Sequence, residues 1–430
     1  MRPITGGYVR IASRLILVAG SALGLFLFGQ ENPAFFLAKP TGPFAVGRTI
    51  LRWTDRSRRE DALANVDMRR EVVAFVYYPA SATGRRADYY PGLTGLGSTP
   101  DTKILEKHFG SAWPAVSAGL VRSHAYEDAP FLNGPGLCPV LVFSPGGSAP
   151  LAAYSVQLEE MASHGYVVVG LEHPYDTALI IQPGHRLIPF IDRMPHETVP
   201  TAAWLEADVK QVSRWVADTK FALDEIQNLS QRRDTPFFGH LDLSRIGVYG
   251  HSLGGMAAAR LCQTDSRICA CLNQDGEMFG IPFGGTEPIP TVIAKQPTKA
   301  PFVDIHAHEQ LASDAQLAAV HVTRKQFEDW RNSKTEALRS FLRQNTSASH
   351  LVIIERPGFT HGSFMDIGQL ISAVAGSDPS QARSSLELAN RLTLAFFDAT
   401  LSQEDQSWVE LLRKPPEGVT IESFENRRLQ

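Results

Sequence analysis

The segment that most constrains the fold is residues 245–260, which read RIGVYGHSLGGMAAAR. A short apolar run leads into Gly-His-Ser-Leu-Gly and is followed by alanine-rich sequence. This pattern predicts a strand, a tight turn and a helix, with Ser252 at the apex. Gly250 and Gly254 remove the Cβ atoms that would clash in so sharp a turn. We therefore predict that the Ser252 hydroxyl stands clear of a sheet, in front of a helix N-terminus.

Other apolar runs predict a largely parallel sheet around this turn. Residues 139–144 (PVLVFS) and 165–173 (GYVVVGLEH) are continuous apolar stretches, as expected of strands buried on both faces. Residues 154–164 between them have helical sequence, so the three elements form a βαβ unit. We predict an α/β-hydrolase fold, with a mostly parallel central sheet flanked by helices and with cap or insertion segments. Further predicted strands are 71–78, 268–272, 302–306 and 351–354, further helices are 203–229 and 386–401, a cap or pocket wall is 178–200, and a charged helical insertion is about 311–345.

The composition fits one large globular domain, which we place at residues 39–430. The chain has 430 residues, of which 43% are hydrophobic and 20% are charged, so it can bury a single extended core. Its 41 basic and 45 acidic residues give a formal net charge of -4. This balance gives no reason to expect a nucleic-acid partner. The sequence gives no indication of the oligomeric state.

Residues 1–38 resemble a targeting segment. Arg2, Arg10 and Arg14 occur without any acidic residue before position 30, and residues 15–29 are apolar, which is typical of a signal peptide. The apolar run is shorter than the roughly 20 residues that a membrane-spanning helix needs, yet no clear A-x-A cleavage site follows it. A cleaved signal peptide and an uncleaved signal anchor both remain open. Either one predicts an exported or membrane-anchored protein, with possible membrane association through residues 11–30.

Two smaller features have simple interpretations. The basic cluster of five arginines between positions 48 and 59 is interpreted as a solvated surface rather than as a contact with anionic lipid. The four cysteines include no C-x-x-C pair. We expect Cys269 and Cys271 to be small buried side chains on one strand face, and the alternative is a disulfide to Cys262.

The predicted turn gives Ser252 the position of a nucleophile, and a serine nucleophile needs a histidine base within hydrogen-bond reach. In this fold the chain order is Ser, acid, His. The histidines after Ser252 are His306, His308, His350 and His361. His350 precedes a strand and so lies at the wrong edge of the sheet. His361 lies in the loop RPGFTHG after the last predicted strand, and we predict that it is the general base.

Three acidic residues could orient this histidine: Asp275, Glu277 and Asp304. Asp275 comes shortly after the predicted strand 268–272, at the edge where the serine is expected. Asp304 lies inside an apolar strand and could be a structural carboxylate. We favour Asp275, with Asp304 as the second choice.

An oxyanion hole requires two backbone N–H donors. One is expected from Leu253, the residue after the nucleophile. The other is expected from the loop Ser-Pro-Gly-Gly at 144–147, where Gly147 would let a substrate carbonyl approach the backbone.

We predict no metal site and no cofactor. His306 and His308 are two residues apart on a predicted strand, and so could share one face, but no third ligand is evident. His251 and His173 could line the pocket, although packing is the simpler interpretation of both.

With these residues placed, the chain resembles the platelet-activating factor acetylhydrolase family, the plasma and type II intracellular enzymes and their microbial relatives. The resemblance runs from about Thr41 to His361 and rests on TGPFAVGRT, VVAFVYYPA, PVLVFSPGG, MASHGYVVVGLEHPYD, RIGVYGHSLGG and CLNQDGEMFG. In this family the nucleophile lies on a sharp strand–helix turn, called the nucleophile elbow, which corresponds to the Ser252 turn. The resemblance implies an acid after the strand that follows the elbow helix, which favours Asp275, and it implies oxyanion donors at Gly147 and Leu253. It also implies release of short or oxidised sn-2 acyl groups from phospholipids, without calcium and often at a lipid surface. Ser-Pro-Gly-Gly replaces the more usual Ser-His-Gly-Leu, and Gly276-Glu277 follows the acid.

We therefore predict a serine carboxylic-ester hydrolase whose partner is a small-molecule ester or a phospholipid. One alternative is a broad esterase, lipase or polyester hydrolase, which would use the same residues. A metal-dependent hydrolase built on His306 and His308 and a catalytically silent binding protein are further alternatives. The intact Ser, Asp and His pattern argues against the silent protein.

Overall fold

The structure is a computed structural model, and it describes residues 37–63, 67–132, 134, 136–195, 201–280, 289–290, 297–308, 314–319 and 321–424. Apart from its last two positions, the N-terminal segment predicted at 1–38 lies outside these residues. Among the helices in the described ranges, none has the length and apolar character needed to cross a membrane.

The strands in these ranges are β1 (Val46–Arg59), β2 (Arg69–Pro79), β3 (Arg86–Asp88), β4 (Arg122–Glu127), β5 (Cys138–Ser144), β6 (Val167–Glu172), β7 (Ile180–Gln182), β8 (Arg186–Ile188), β9 (Leu241–His251), β10 (Ile268–Gln274), β11 (Phe279–Gly280), β12 (Ile289–Pro290), β13 (Phe302–Ala307), β14 (Ser349–Ile354) and β15 (Val419–Phe424). The α-helices are α1 (Lys103–Phe109), α2 (Trp113–Ser117), α3 (Ser155–Ser163), α4 (Ala202–Gln231), α5 (Leu253–Thr264), α6 (Asp314–Ala319), α7 (Arg324–Leu342), α8 (Ile367–Val374), α9 (Ser380–Phe397) and α10 (Gln406–Arg413).

Eleven of these strands form one sheet in the order β15-β14-β13-β10-β9-β5-β6-β2-β1-β4-β3. The six strands from β14 to β6 in this order run parallel to their neighbours. Every residue of β5 and β6 is buried, which explains why both strands are continuous apolar runs. The predicted α/β-hydrolase fold is confirmed.

Helices cover both faces of the sheet because alternate side chains of each strand point in opposite directions. On β2, Phe75 and Tyr77 join one core with residues of α3 and α9. The neighbouring Ala74 and Val76 join the opposite core with residues of α4, α5 and α7. Helices α6 and α7 lie between β13 and β14 in the chain, within the segment 311–345 where the sequence predicts a helical insertion.

Strand β1 was not predicted, and it changes the interpretation of the basic cluster. Arg48 is buried on this strand, with its guanidinium over the Phe75 ring, and Arg58 pairs with the buried Asp218 at 2.8 Å. The interpretation as a solvated surface is therefore wrong for Arg48 and Arg58. It fails because a run rich in arginine is normally solvent-exposed, whereas here the ring and the acid that receive Arg48 and Arg58 come from segments distant in the sequence.

A buried ion cluster attaches α4 to β2. Arg70 binds Asp218 through two hydrogen bonds of 3.0 and 2.6 Å, and it donates a third to Glu60 at 2.9 Å. His173 joins the cluster at Asp218, 2.9 Å away, and stacks on Trp215 with ring centroids 4.0 Å apart. Burial opposes the charge of Asp218, but Arg70 and His173 hold the pKa of this carboxyl well below its usual range.

The cysteines also differ from the prediction. Cys271 forms a disulfide with Cys262, while Cys138 and Cys269 are free. The bond joins α5, the helix after the predicted elbow, to the next strand, β10. The expectation that Cys271 is a free buried side chain is therefore wrong, and the alternative pairing with Cys262 is the one observed.

Candidate active site

Ser252 lies at a sharp turn between β9 and α5. Its backbone adopts φ 54° and ψ -121°, a conformation that is strained for a residue with a Cβ. A Cβ at Gly254 would lie 2.0 Å from the Ser144 carbonyl oxygen, and one at Gly250 would lie 2.4 Å from the Gly254 carbonyl carbon. Only glycine fits at either position, and the close packing holds the serine at the carboxyl edge of the sheet.

Asp275 follows β10 at the same edge. Its N–H donates to the Ile305 carbonyl at 2.7 Å, and its Oδ1 accepts the Ala307 N–H at 2.9 Å. The next residue must be Gly276, because a Cβ there would lie 2.4 Å from the Ser252 carbonyl oxygen. The loop that carries the acid is thus packed directly against the turn that carries the serine.

His361 begins a short 3-10 turn, His361–Phe364, after β14. Its Nδ1 lies 2.7 Å from Asp275 Oδ2. Burial disfavours the carboxylate, but hydrogen bonds from His306 and His361 hold the pKa of Asp275 well below its usual range. An ionised Asp275 keeps a hydrogen on His361 Nδ1, so that Nε2 of the neutral ring is the basic nitrogen.

These three residues line one cavity of about 1400 Å³. Gly147 and Leu253 line it as well. The structure therefore brings together every residue that the sequence predicts for the active site, although the serine, the acid and the histidine come from three different loops.

The loop after β5 is tied down on both sides of Gly147. Gly254 donates its N–H to the Pro145 carbonyl at 3.1 Å, and Ser148 donates to the Asp176 carbonyl at 3.0 Å. In the part of the chain that the structure describes, no backbone acceptor is found for the N–H groups of Gly147 and Leu253. Both groups are thus available to a negatively charged oxygen.

The remaining candidates contact other partners. Asp304, the second choice for the acid, is fully buried and lies 2.6 Å from His306 Nε2 rather than beside His361. Glu277 forms an ion pair with Lys334 of α7. His308 lies 3.2 Å from Glu355. Among the described residues, no group of three or more His, Cys, Asp or Glu side chains is arranged to hold a metal ion.

The family model described as platelet-activating factor acetylhydrolase, isoform II, matches residues 31–415. The chain belongs to this family. The relatives it matches include a probable 1-alkyl-2-acetylglycerophosphocholine esterase from Arthroderma benhamiae, which is 29% identical over 254 residues, covering 57% of this chain and 60% of that protein. A platelet-activating factor acetylhydrolase from Cavia porcellus is 24% identical over 443 residues, covering 96% of this chain and 86% of that protein.

Among solved structures, a ferulic acid esterase from Streptomyces cinnamoneus matches 90% of this chain and 98% of its own, with a TM-score of 0.62 and 22% identity. At this level of identity the similarity supports the fold alone.

The structure of this member of the acetylhydrolase family also reveals partners that the sequence did not. His251 is buried, with its ring against that of His361 and its Nδ1 2.8 Å from the Tyr154 hydroxyl. The same hydroxyl accepts the Gly146 N–H at 3.0 Å. His251 was expected to be a packing residue, and its place next to Ser252 in the elbow is the only sequence signal of this contact.

Two charged residues on the cavity wall were not anticipated either. Asp208 of α4 is 4% exposed, and in the described part of the chain it has no hydrogen-bond or ion-pair partner. Burial, and to a lesser degree the charge of Glu277, raises the pKa of Asp208 to about 7. Arg331 of α7 lines the same cavity, and its Nη1 is buried with no hydrogen-bond partner among the described residues. The cavity wall thus carries a carboxyl and a guanidinium that form no ion pair with each other.

Proposed function

We propose that the protein is a serine carboxylic-ester hydrolase, with Ser252 as nucleophile, His361 as general base and Asp275 as the acid that orients it. The observation that carries the proposal is the 2.7 Å contact between Asp275 and His361 in the cavity that Ser252 lines. A strained serine turn, an ionised acid and a half-exposed imidazole in one cavity are the parts that acyl transfer requires.

In the proposed reaction, His361 Nε2 takes the proton of the Ser252 hydroxyl as its oxygen attacks the ester carbonyl carbon. The negative charge that develops on the carbonyl oxygen is stabilised by the N–H groups of Gly147 and Leu253. His361 then gives its proton to the departing alcohol, which leaves an acyl-enzyme. Water, deprotonated by the same imidazole, releases the acid and restores the serine.

We further propose that the substrate is a glycerophospholipid with a short or oxidised sn-2 acyl group. The family membership and the activities after which both relatives are named support this class of ester. The Asp208 carboxyl and the Arg331 guanidinium on the cavity wall, which pair with no described residue, support it independently. A phosphocholine group carries one negative and one positive charge, so it could pair with Arg331 and Asp208 respectively, with Trp204 of the same helix face also on the wall.

The test combines a serine-directed probe with a substrate series. We expect the purified protein to be labelled by a fluorophosphonate and to hydrolyse p-nitrophenyl acetate, and Ser252→Ala to lose both properties. Ser213→Ala, which changes an exposed serine on α4, is the matched control. Turnover that persists in Ser252→Ala would overturn the reaction assignment.

The substrate class is tested separately, with 1-alkyl-2-acetyl-glycerophosphocholine and its long-chain sn-2 analogue. Faster release of acetate than of the long acyl chain supports the phospholipid proposal. Hydrolysis of simple esters with no turnover of either lipid would identify a broad esterase instead.

We also propose that the protein is exported or membrane-anchored. The basic and apolar sequence of residues 1–38 supports this location, and so does the disulfide between Cys262 and Cys271, because such bonds persist in oxidising compartments. Fusion of these residues to alkaline phosphatase, which is active only after export, should give activity. An inactive fusion in an export-competent host would contradict the proposal.

A further inference from the structure

His306 of β13 lies between two carboxylates. Its Nε2 is 2.6 Å from Asp304 Oδ1, and its Nδ1 is 3.5 Å from Asp275 Oδ1. His306 Nε2 makes no hydrogen bond with a described residue, so its contact with Asp304 is an ion pair. Asp275 is therefore shared by two imidazoles, His361 at Oδ2 and His306 at Oδ1.

Two carboxylates next to the two ring nitrogens favour the protonated form of His306. A neutral imidazole carries one N–H, so one of its ring nitrogens would present a lone pair to a carboxylate oxygen. Asp304 is fully buried and accepts a hydrogen bond from the Asn273 side chain at 2.9 Å. A buried carboxylate of this kind needs a positive partner. Burial lowers the pKa of His306, but Asp304 and Asp275 outweigh burial and raise it to about 10.

Several other titratable and charged groups lie on the wall of the cavity that His306 lines. His251, which contacts His361 from the opposite side, is neutral because burial and the charge of His361 lower its pKa to about 3. The groups around the site include Asp304 on β13, Asp275 after β10, His361 after β14, His251 on β9, Asp208 on α4, Glu277 with Lys334 of α7, Arg331 of α7, and His308 with Glu355 at the end of β14.

We propose that His306 is a positioning residue for the Asp275–His361 pair. It is a permanent imidazolium that holds Asp275 in place and offsets part of its negative charge. The inference rests on the proposed roles of Asp275 and His361. Because Asp275 stabilises protonated His361, a cation on its other oxygen weakens that stabilisation.

The test measures the acidic limb of the pH profile of kcat/KM for p-nitrophenyl acetate, a neutral ester that does not titrate. In His306→Gln the cation is gone, so we expect the limb to move to higher pH by about half to one pH unit. In Asp304→Asn, protonated His306 stays beside Asp275 but loses the negative charge of its other partner, Asp304. The acidic limb of kcat/KM should therefore move to lower pH. A purely structural role for His306 would not give shifts of opposite sign.

His308→Gln is the matched control, because His308 lies two residues along the same strand but pairs with Glu355. We expect its limb to match that of the wild type. An unchanged limb in folded His306→Gln, or shifts of the same sign in both variants, would overturn the inference.

A second measurement does not depend on turnover. In protein labelled with ¹⁵N-histidine, His306 should stay protonated up to at least pH 9. If variant His306→Gln does not fold, the double variant with Asp304→Asn removes both charges and should keep a smaller upward shift of the acidic limb. Loss of esterase activity in Ser252→Ala tests the proposed function, whereas these titrations test His306, so the two failures are distinguishable.

Discussion

The His251 imidazole lies against that of His361, with ring centroids 4.4 Å apart and planes inclined by 42°. His251 is held on its other side by Tyr154, whose hydroxyl also accepts the N–H of Gly146 in the loop after β5. That N–H occupies one acceptor site of the phenol oxygen, so the phenol proton is free to be donated to His251 Nδ1. One tyrosine therefore supports both the ring behind the proposed base and the loop that carries Gly147.

We predict that Tyr154→Phe lowers kcat about tenfold while KM for p-nitrophenyl acetate changes little. The variant keeps the ring but loses the hydroxyl, so the Gly146 N–H and His251 each lose a buried partner. Steady-state kinetics and a thermal melt are the measurements. Normal kcat in a folded variant would show that the hydroxyl does not support the site.

Asp208 gives a prediction about pH. Since its pKa is raised to about 7, the side chain is mainly neutral below this pH and becomes a carboxylate above it. We predict that KM for a choline-containing ester falls about fivefold as pH rises through 7, as the new charge attracts the ammonium group. Asp208→Asn should abolish this dependence and leave an uncharged ester of the same shape unaffected. Equal pH profiles for the two esters in the wild type would contradict a role in head-group binding.

The buried cluster of Arg70 and Asp218 predicts a large effect on stability. Asp218→Asn leaves Arg70 buried next to a neutral amide, and we expect a loss of about 3–5 kcal/mol in the free energy of unfolding. Because the pKa of Asp218 is depressed in the folded protein, its stabilising contribution is present above the unfolded pKa and is lost as pH falls through the folded value. Urea unfolding at several pH values measures both effects. Lys210→Met, which removes an exposed ion pair with Glu206, should change stability by less than about 1 kcal/mol.

The disulfide between α5 and β10 predicts a smaller change in the free energy of unfolding. Replacing both Cys262 and Cys271 with serine should lower the free energy of unfolding by about 2 kcal/mol, because the unfolded chain loses a cross-link between residues 9 apart in sequence. Non-reducing melts of the double variant and of Cys269→Ser, which removes a free thiol, provide the comparison. Equal melting temperatures for the double variant and the wild type would contradict this contribution.

Several features of the site could be predicted because their signals are local. The turn at Ser252 requires glycine at positions 250 and 254 for steric reasons that involve only neighbouring loops. The buried parallel strands are apolar throughout, so they stand out in the sequence. The position of His361 follows from chain order in this fold. The strand β1 was missed because its sequence, VGRTILRWTDRSRR, forms neither a continuous apolar run nor a regular alternation of apolar and polar residues.

The fold class, the serine turn and the set of residues able to take part in acyl transfer follow from local sequence patterns. Which acid meets which histidine depends on how distant segments pack, because Asp275 follows β10 and reaches His361, whereas Asp304 lies inside β13, beside Asn273, and contacts His306. The same dependence holds for the ion pairs of His306, the contact between His251 and His361, and the pairing of Cys262 with Cys271. Steric limits on a turn act within a few residues, whereas Asp275 and His361 are 86 residues apart and meet only because β10, β13 and β14 lie side by side.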